Sequence, residues 1–522
     1  MKNKIEPYIN ELPSKFSERV ATDYAAHISK DQKKELGQFF TSANLAKFMS
    51  SMADFNLEKS QFKILDPGCG VLTLTCALVE TMLEKNVQTH QVEIDAYDID
   101  PLLIDSIDLV SNYLVLWCEK RNVKVNINLS NSDFILTNEE FIKSDSSSGK
   151  YDFIISNPPY FKIKKQDPRL AVFKNTLQGQ QNIYSLFLLA SYRLLNKKGE
   201  LIFIVPRSFT SGLYFQSFRE MFLGNVLIED FHIFNSRKEG FKRDQVLQEN
   251  IILKAKLKKA KTSYEKIRIT SSKGISDLEN IDRKEFSINQ LIKTIGKLNV
   301  IHLPVNIQEE NAIELFSTWT NNLKSLGMKV STGPIVPFRS KTYLKHRKSS
   351  SQNCVPLLWM HNCLKMELNW PNKKAEKESW VIDNSSSNSK TIQNGNYIFL
   401  RRFSSKDDSS KLIATPHIKE ELEFDKLGIE NHLNYLYKPN GIMDNLEVFG
   451  LSVLFNSSLF DSYFRSLTGN TQVSATELNS ISLPSIDTIQ KIGKQYLSLN
   501  GRGILEIDNI VNSAFGLTEK QA

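Results

Sequence analysis

The sequence predicts a doubly wound, mostly parallel α/β sheet followed by a separate α+β domain, and three observations predict it. Short apolar runs alternate with helical stretches from about residue 60 to 256. The first of these runs end in glycine-bearing or acidic turns. After about residue 285 the runs shorten, and Ser/Asn-rich patches such as Asp383–Asn388 and Lys348–Asn353 interrupt them. Strands separated by helices build a parallel sheet covered on both faces.

Taken in order, Phe62–Leu65 reads as the first buried strand, and Val71–Glu84 as a helix with Leu74, Leu78 and Met82 on one face. Val92–Tyr97, Val125–Leu129, Phe153–Ser156 and Leu201–Val205 supply four more strands of ordinary length. Tyr184–Leu195 is a second such helix, with Leu188, Tyr192 and Leu195 aligned. Leu227–Phe234 and Gln245–Lys256 follow with one loop between them and predict an antiparallel edge. The expected division is an N-terminal helical segment (1–35), the α/β domain (36–285) and the α+β domain (286–522).

Composition sets the outer limits. At 522 residues, 41% hydrophobic and 24% charged, the chain can build two cores. No run reaches the roughly 18 consecutive apolar residues of a membrane span, and the first residues lack the apolar core of an export signal. Cys69, Cys76, Cys118, Cys354 and Cys363 form no CxxC pair, which fits reduced thiols and predicts a cytoplasmic protein without a zinc site. A net charge of +8 leans mildly toward polyanions.

Two stretches carry chemistry. In Lys63–Gly70 (KILDPGCG) a strand runs into a turn where Gly68 and Gly70 let the backbone approach a ligand. About thirty residues on, Asp98 closes the next strand, where a carboxylate holds a ribose diol. After the third strand, Asp133 is placed to accept from an adenine amine and Phe134 to cover the ring. Together these spacings describe a nucleoside crevice; a nicotinamide site would bring a third glycine, and Leu72 stands in this loop instead. The second stretch, Asp152–Tyr160 (DFIISNPPY), is more specific. Two prolines fix a rigid turn, Asn157 and the carbonyl of Pro158 offer two acceptors for one amine, and Tyr160 offers a flat face to a base.

These motifs, in this order, resemble the gamma class of adenine-N6 DNA methyltransferases of restriction–modification systems. Gly37–Thr41 (GQFFT), Asp66–Gly70, the acidic strand end, the Asp-Phe pair and Asn-Pro-Pro-Tyr all match, over essentially the whole chain. Gly240–Asn250, Lys329–Val336 and Gly469–Glu477 resemble segments of the PstI- and BsuBI-like type II branch. The resemblance implies an S-adenosylmethionine-dependent fold, with S-adenosylhomocysteine as product and no metal. It assigns Thr41, Asp66, Gly68, Gly70, Asp98, Ile99, Asp133, Phe134 and Asn157 to the cofactor. Asn157 and Pro158 would bind the target amine, Tyr160 would stack on the flipped adenine, and Phe241 is a second stacking ring. Double-stranded DNA is the implied partner, with residues 286–522 as the target-recognition domain. A cognate endonuclease would act on the same site without a stable complex. Leu72 departs from relatives that often carry glycine there.

Other readings keep the motif and change the acceptor to RNA bases or protein glutamine amides, or add a nuclease, or remove catalysis and leave a DNA-binding module. The C-terminal half favours readout of a DNA site. Within it Lys341–Lys348 and Leu400–Phe403 are either contact segments or solvated faces, and Lys254–Lys261 is either a DNA contact or a solvated strand end.

Overall fold

The structure is a computed structural model describing residues 5–29, 40–144, 149–173, 177, 181–235, 249–258, 266–295, 298–349, 351–372, 376–404, 410–467, 473–499 and 506–518. Two compact units emerge. The first comprises Met1–Thr210 and Tyr214–Leu291, the second Ser211–Leu213 and Ile292–Ala522.

The first unit is built on a nine-stranded sheet ordered β3-β2-β1-β4-β5-β7-β6-β8-β9. Its strands are β1 Gln61–Pro67, β2 Gln91–Tyr97, β3 Lys124–Ser130, β4 Tyr151–Ser156, β5 Leu195–Pro206, β6 Val226–Phe234, β7 Asn250–Leu257, β8 Lys266–Ser272 and β9 Asp282–Ser287. β1 to β5 run parallel. The chain winds outward from β1 to β3, then crosses back to β4 on the other side of β1. Helices α1 Pro13–His27, α2 Ala43–Ser51, α3 Thr73–Glu84, α4 Ile104–Glu119, α5 Phe134–Thr137 and α6 Ile183–Leu194 accompany it. α3 and α6 are buried on nearly every side because the sheet and neighbouring helices enclose them. The stretch Pro101–Glu119 is long and apolar enough to cross a membrane by composition. Here its Ile107, Val110, Leu114 and Cys118 are buried in the core of this unit.

The antiparallel addition is not an edge. β7 lies between β5 and β6, antiparallel to both, and β8 and β9 extend the sheet beyond β6. In β8 the apolar signal is only Ile267 and Ile269 between charged and hydroxyl residues, yet both are buried. The unit therefore runs to Leu291, beyond residue 285.

Lys254, read from sequence as a DNA contact or a solvated strand end, is neither. It is 1% exposed, with its ammonium 2.5 Å from Asp54, 3.4 Å from Glu200 and 3.5 Å from Glu229. Lys256 reaches Glu200 and Glu229, each at 3.0 Å. Three carboxylates this close resemble a metal site, but two ammonium groups already lie among them and offset most of their charge. The cluster ties the segment after α2 to β5, β6 and β7.

The second unit holds a four-stranded antiparallel sheet, ordered Lys329–Thr332, Leu433–Tyr437, Tyr397–Arg401, Ala414–His417. A five-stranded sheet of shorter strands stands beside it in the same unit. Helices Ile307–Thr318, Asn445–Phe455, Ser458–Leu467, Ile486–Ser498 and Ile507–Phe515 enclose its main core. There Phe316 and Tyr463 stack with ring centres 3.8 Å apart.

Lys254→Met should lower the unfolding free energy by about 3 kcal/mol, because it leaves buried Glu200 with less compensating charge. Urea unfolding measures it, and an unchanged midpoint would show that Lys256 alone compensates Glu200.

Candidate active site

β1 and β4 are neighbours, with Leu65 opposite Ile154, but their chains leave toward opposite halves of the sheet. Loops at such a reversal part and open a crevice at the carboxyl ends of the strands. The Ser156 hydroxyl donates to the carbonyl of Pro67 at 2.6 Å and locks the two strand ends together. This sets the glycine loop beside Asn157.

The loop after β1 is rigid. The amides of Gly68 and Cys69 both donate to the carbonyl of Tyr97, at 2.8 Å each. Gly68 and Gly70 have φ of +73° and +53°, the left-handed region that glycine enters without strain. Leu72 takes φ +64° and ψ +21°, the same region, while its side chain is fully buried. So the departure at Leu72 keeps the backbone shape a glycine would give. Phe40 closes over Gly70, and its ring meets Tyr24 of α1 edge-on at 5.8 Å.

Asp66, expected among the cofactor contacts, turns inward instead. It is 0% exposed, one oxygen accepts from the Thr75 hydroxyl at 2.6 Å, and the other is buried without a partner among the described residues. Burial pushes its carboxyl up to about 7. Its side chain is a support beneath the loop.

At the end of β2, Asp98 accepts from the amides of Gly70 and Asp100, both at 2.9 Å. Burial raises its carboxyl to about 6, although these amides favour the charged form. Ile99 beside it is 54% exposed. Past β3, Asp133 caps α5, accepting from the amides of Ile135 and Leu136, and its second oxygen lies 3.5 Å from Arg169. Phe134, expected to cover a ring, is buried between Tyr97 and Phe187, at 5.5 and 5.4 Å. It braces the strand ends from inside.

At the end of β4 the Asn157 amide donates to the Thr41 hydroxyl at 3.1 Å, and its oxygen accepts from the Tyr160 hydroxyl at 2.6 Å. That hydroxyl also lies 2.9 Å from the carbonyl of Ile204 on β5. Pro158 is buried. Thus Thr41, Asn157 and Tyr160 meet, and sequence reasoning missed what the tyrosine oxygen does. It also missed Tyr24, which donates to Asp100 at 2.6 Å. Phe241 and Gly37–Phe39 lie outside the described residues.

The Eco57I restriction-modification methylase family matches residues 29–241. The type II methyltransferase M.PstI of Providencia stuartii is 31% identical over 489 residues, 93% of this chain and 94% of its own. M.BsuBI of Bacillus subtilis is 32% identical over 490 residues, 91% and 93% of the two chains. The chain belongs to the type II methyltransferases. It is a DNA methyltransferase of the restriction–modification kind, so the RNA and protein acceptors that the Asn-Pro-Pro-Tyr motif left open fall away. Among solved structures the DrdV–DNA complex is similar over 93% of this chain and 59% of its own, at 14% identity and a TM-score of 0.46.

In this methyltransferase Asp66 binds its proton more tightly folded than unfolded, since burial raises its carboxyl from 3.8 to about 7. Its stabilising effect is therefore complete below pH 4 and lost as pH rises through 7. Asp66→Asn, which still accepts from Thr75, should gain over the natural protein across that window, by roughly 4 kcal/mol at most above pH 7. Urea midpoints at pH 5 and pH 8 test this, and an equal difference at both would refute it.

Proposed function

We propose that the chain transfers a methyl group from S-adenosylmethionine to N6 of adenine flipped out of duplex DNA, as the modification enzyme of a restriction–modification system. The observation that carries this reading is Asn157, fixed by Thr41 and Tyr160 at the end of β4 beside the glycine loop. The residues of the crevice fit the cofactor. Asp98 keeps acceptor capacity beyond its two amide partners for the ribose diol, and exposed Ile99 offers apolar surface to the adenine edge. Gly68 and Gly70 allow close approach along the methionine arm, and Thr41 borders it. Asp133 keeps its uncapped oxygen, 3.5 Å from Arg169, as an acceptor for the cofactor's adenine amine.

When bound, S-adenosylmethionine supplies an electrophilic methyl on a sulfonium. The chain's own part is orientation. The oxygens of Asn157 and Pro158 accept the two hydrogens of the target amine and leave its lone pair aimed at the crevice. No strong base is needed there, since the amine loses its proton after it becomes cationic; preorganised acceptors stabilise that charge. Tyr160 gives the extruded base a stacking face and holds the Asn157 oxygen in place through its hydroxyl. The reading places the protein in the cytoplasm with its DNA, where a cognate endonuclease shares its site without a stable complex.

The test incubates the protein with methyl-labelled S-adenosylmethionine and separate DNA, RNA and protein acceptors, then digests the labelled product to nucleosides. N6-methyldeoxyadenosine is expected, and a methylated cytosine would overturn the adenine assignment. Asn157→Ala should slow transfer about a hundredfold or more with cofactor affinity retained. Asp98→Ala should weaken cofactor binding in calorimetry. In the natural protein that affinity should fall as pH drops through about 6, where Asp98 takes up a proton and loses acceptor capacity. Affinity flat from pH 5 to 8 would remove Asp98 from the ribose site.

A further inference from the structure

Two segments that the chemistry of the first unit leaves unused, Lys329–Val336 and Leu400–Phe403, meet in the second unit around one turn, residues 430–432. The amide of Asn431 donates to the carbonyl of Ile335 at 2.8 Å, and that of Gly333 to Leu433 at 2.9 Å. Arg402 donates its amide to His432 at 3.0 Å and a guanidinium N–H to the carbonyl of Asn431 at 2.9 Å. Val473 then donates to the carbonyl of Arg402 at 2.8 Å, and Asn434 to that of Val473 at 3.1 Å. Gly333 is required by this closure: a Cβ there would stand 2.3 Å from the carbonyl oxygen of Glu430.

The backbone of this knot is fixed, but the side chains it presents are not those of a core. Phe403 is 37% exposed and meets the His432 ring edge-on at 4.9 Å, with the Arg402 guanidinium 5.9 Å from its centre. The His432 imidazole is nearly half exposed and lies 2.5 Å from a carboxylate oxygen of Glu430, which is itself wholly buried. Placing a wholly buried carboxylate under an exposed imidazole carries a desolvation cost that packing alone does not require. Three residues past Ile335, Phe338 is 69% exposed with Arg339 over its ring at 5.1 Å.

A rigid backbone presenting arginine, imidazole and an open phenyl edge fits the floor of a DNA groove. Arginine pairs with the acceptors of guanine, and an apolar ring contacts the thymine methyl. We propose that Arg402, Phe403 and His432 form a base-reading tip that sets which DNA site this enzyme methylates. The inference rests on the reading of the chain as a DNA-modifying enzyme and adds where its sequence choice is made.

The test first reads the natural protein's site by methylation-sensitive sequencing, which also shows whether the chain modifies DNA at all and so separates the two claims. Methylation rates are then measured at fixed salt on duplexes carrying each single base-pair change in that site. Phe403→Ala, His432→Gln and Arg402→Lys should each lose about tenfold or more of the discrimination at one or two positions, with the other positions and cofactor affinity unchanged. Phe403 is exposed, so its truncation leaves the core intact; a thermal melt of each variant confirms the fold. A uniform loss over all duplexes in a folded variant would make the tip a phosphate contact, and an unaltered profile would remove it from the DNA. Either result overturns the proposal.

Discussion

The adjacency of β1 and β4 at the point where the winding of the sheet reverses is the constraint on which the site depends. Parallel neighbours end at the same level, so a loop that bends back after one strand necessarily flanks a loop that leaves the other. The bond from Ser156 to Pro67 fixes that relation at atomic precision. Everything chemical then follows by extension along the strand ends. Tyr97 pins Gly68 and Cys69 across to β2, Asp98 pins Gly70, and Ile204 on β5 anchors the tyrosine that holds Asn157. A crevice assembled from four strand ends moves as one piece, which suits a reaction that needs two groups aligned more than it needs an acid or a base.

The far side of the sheet answers a different problem. β7 runs antiparallel between β5 and β6, and it carries Lys254 and Lys256 where a parallel strand would carry valine or isoleucine. Lys254 is tolerated in the interior only because Glu200, Glu229 and Asp54 converge on it from three separate segments. Such a cluster is poor in net energy, since desolvating the charges offsets much of their attraction. What it does supply is register: each acid finds its lysine only when β5, β6 and β7 are paired as they are.

This contrast explains what the sequence showed and what it hid. Strand ends marked by glycine, aspartate or proline were legible because local backbone requirements select those residues, and Gly68, Asp98 and Asn157 sit where their motifs placed them. Features that depend on distant partners were not. The Asp54–Lys254 pair spans 200 positions, and no pattern around Lys254 distinguishes it from a solvated lysine. Asp66 and Phe134 turn inward for a related reason: side-chain direction at a strand end is decided by what lies beneath, here Thr75 and Phe187. β8 escaped notice because its buried threonine and serines look polar, although two of them bond the His232 ring inside the sheet.

Leu72 shows how such conflicts are resolved. A leucine in the left-handed region costs roughly 1–2 kcal/mol relative to the right-handed one, and a glycine would avoid that cost. Burying the leucine side chain returns about 1.5–3 kcal/mol, and deleting it would add the cost of a cavity beneath α3. Packing therefore wins over backbone preference, and the start of α3 is held by a core contact in place of a flexible hinge. The consequence reaches the site, because the amide of Leu72 donates to the carbonyl of Cys69 and so carries that rigidity into the loop between Gly68 and Gly70. A loop already locked in its ligand-facing shape gives up little conformational entropy on binding. The strain stored at Leu72 and the unpaired oxygen of Asp66 are then two local costs of one preorganised crevice.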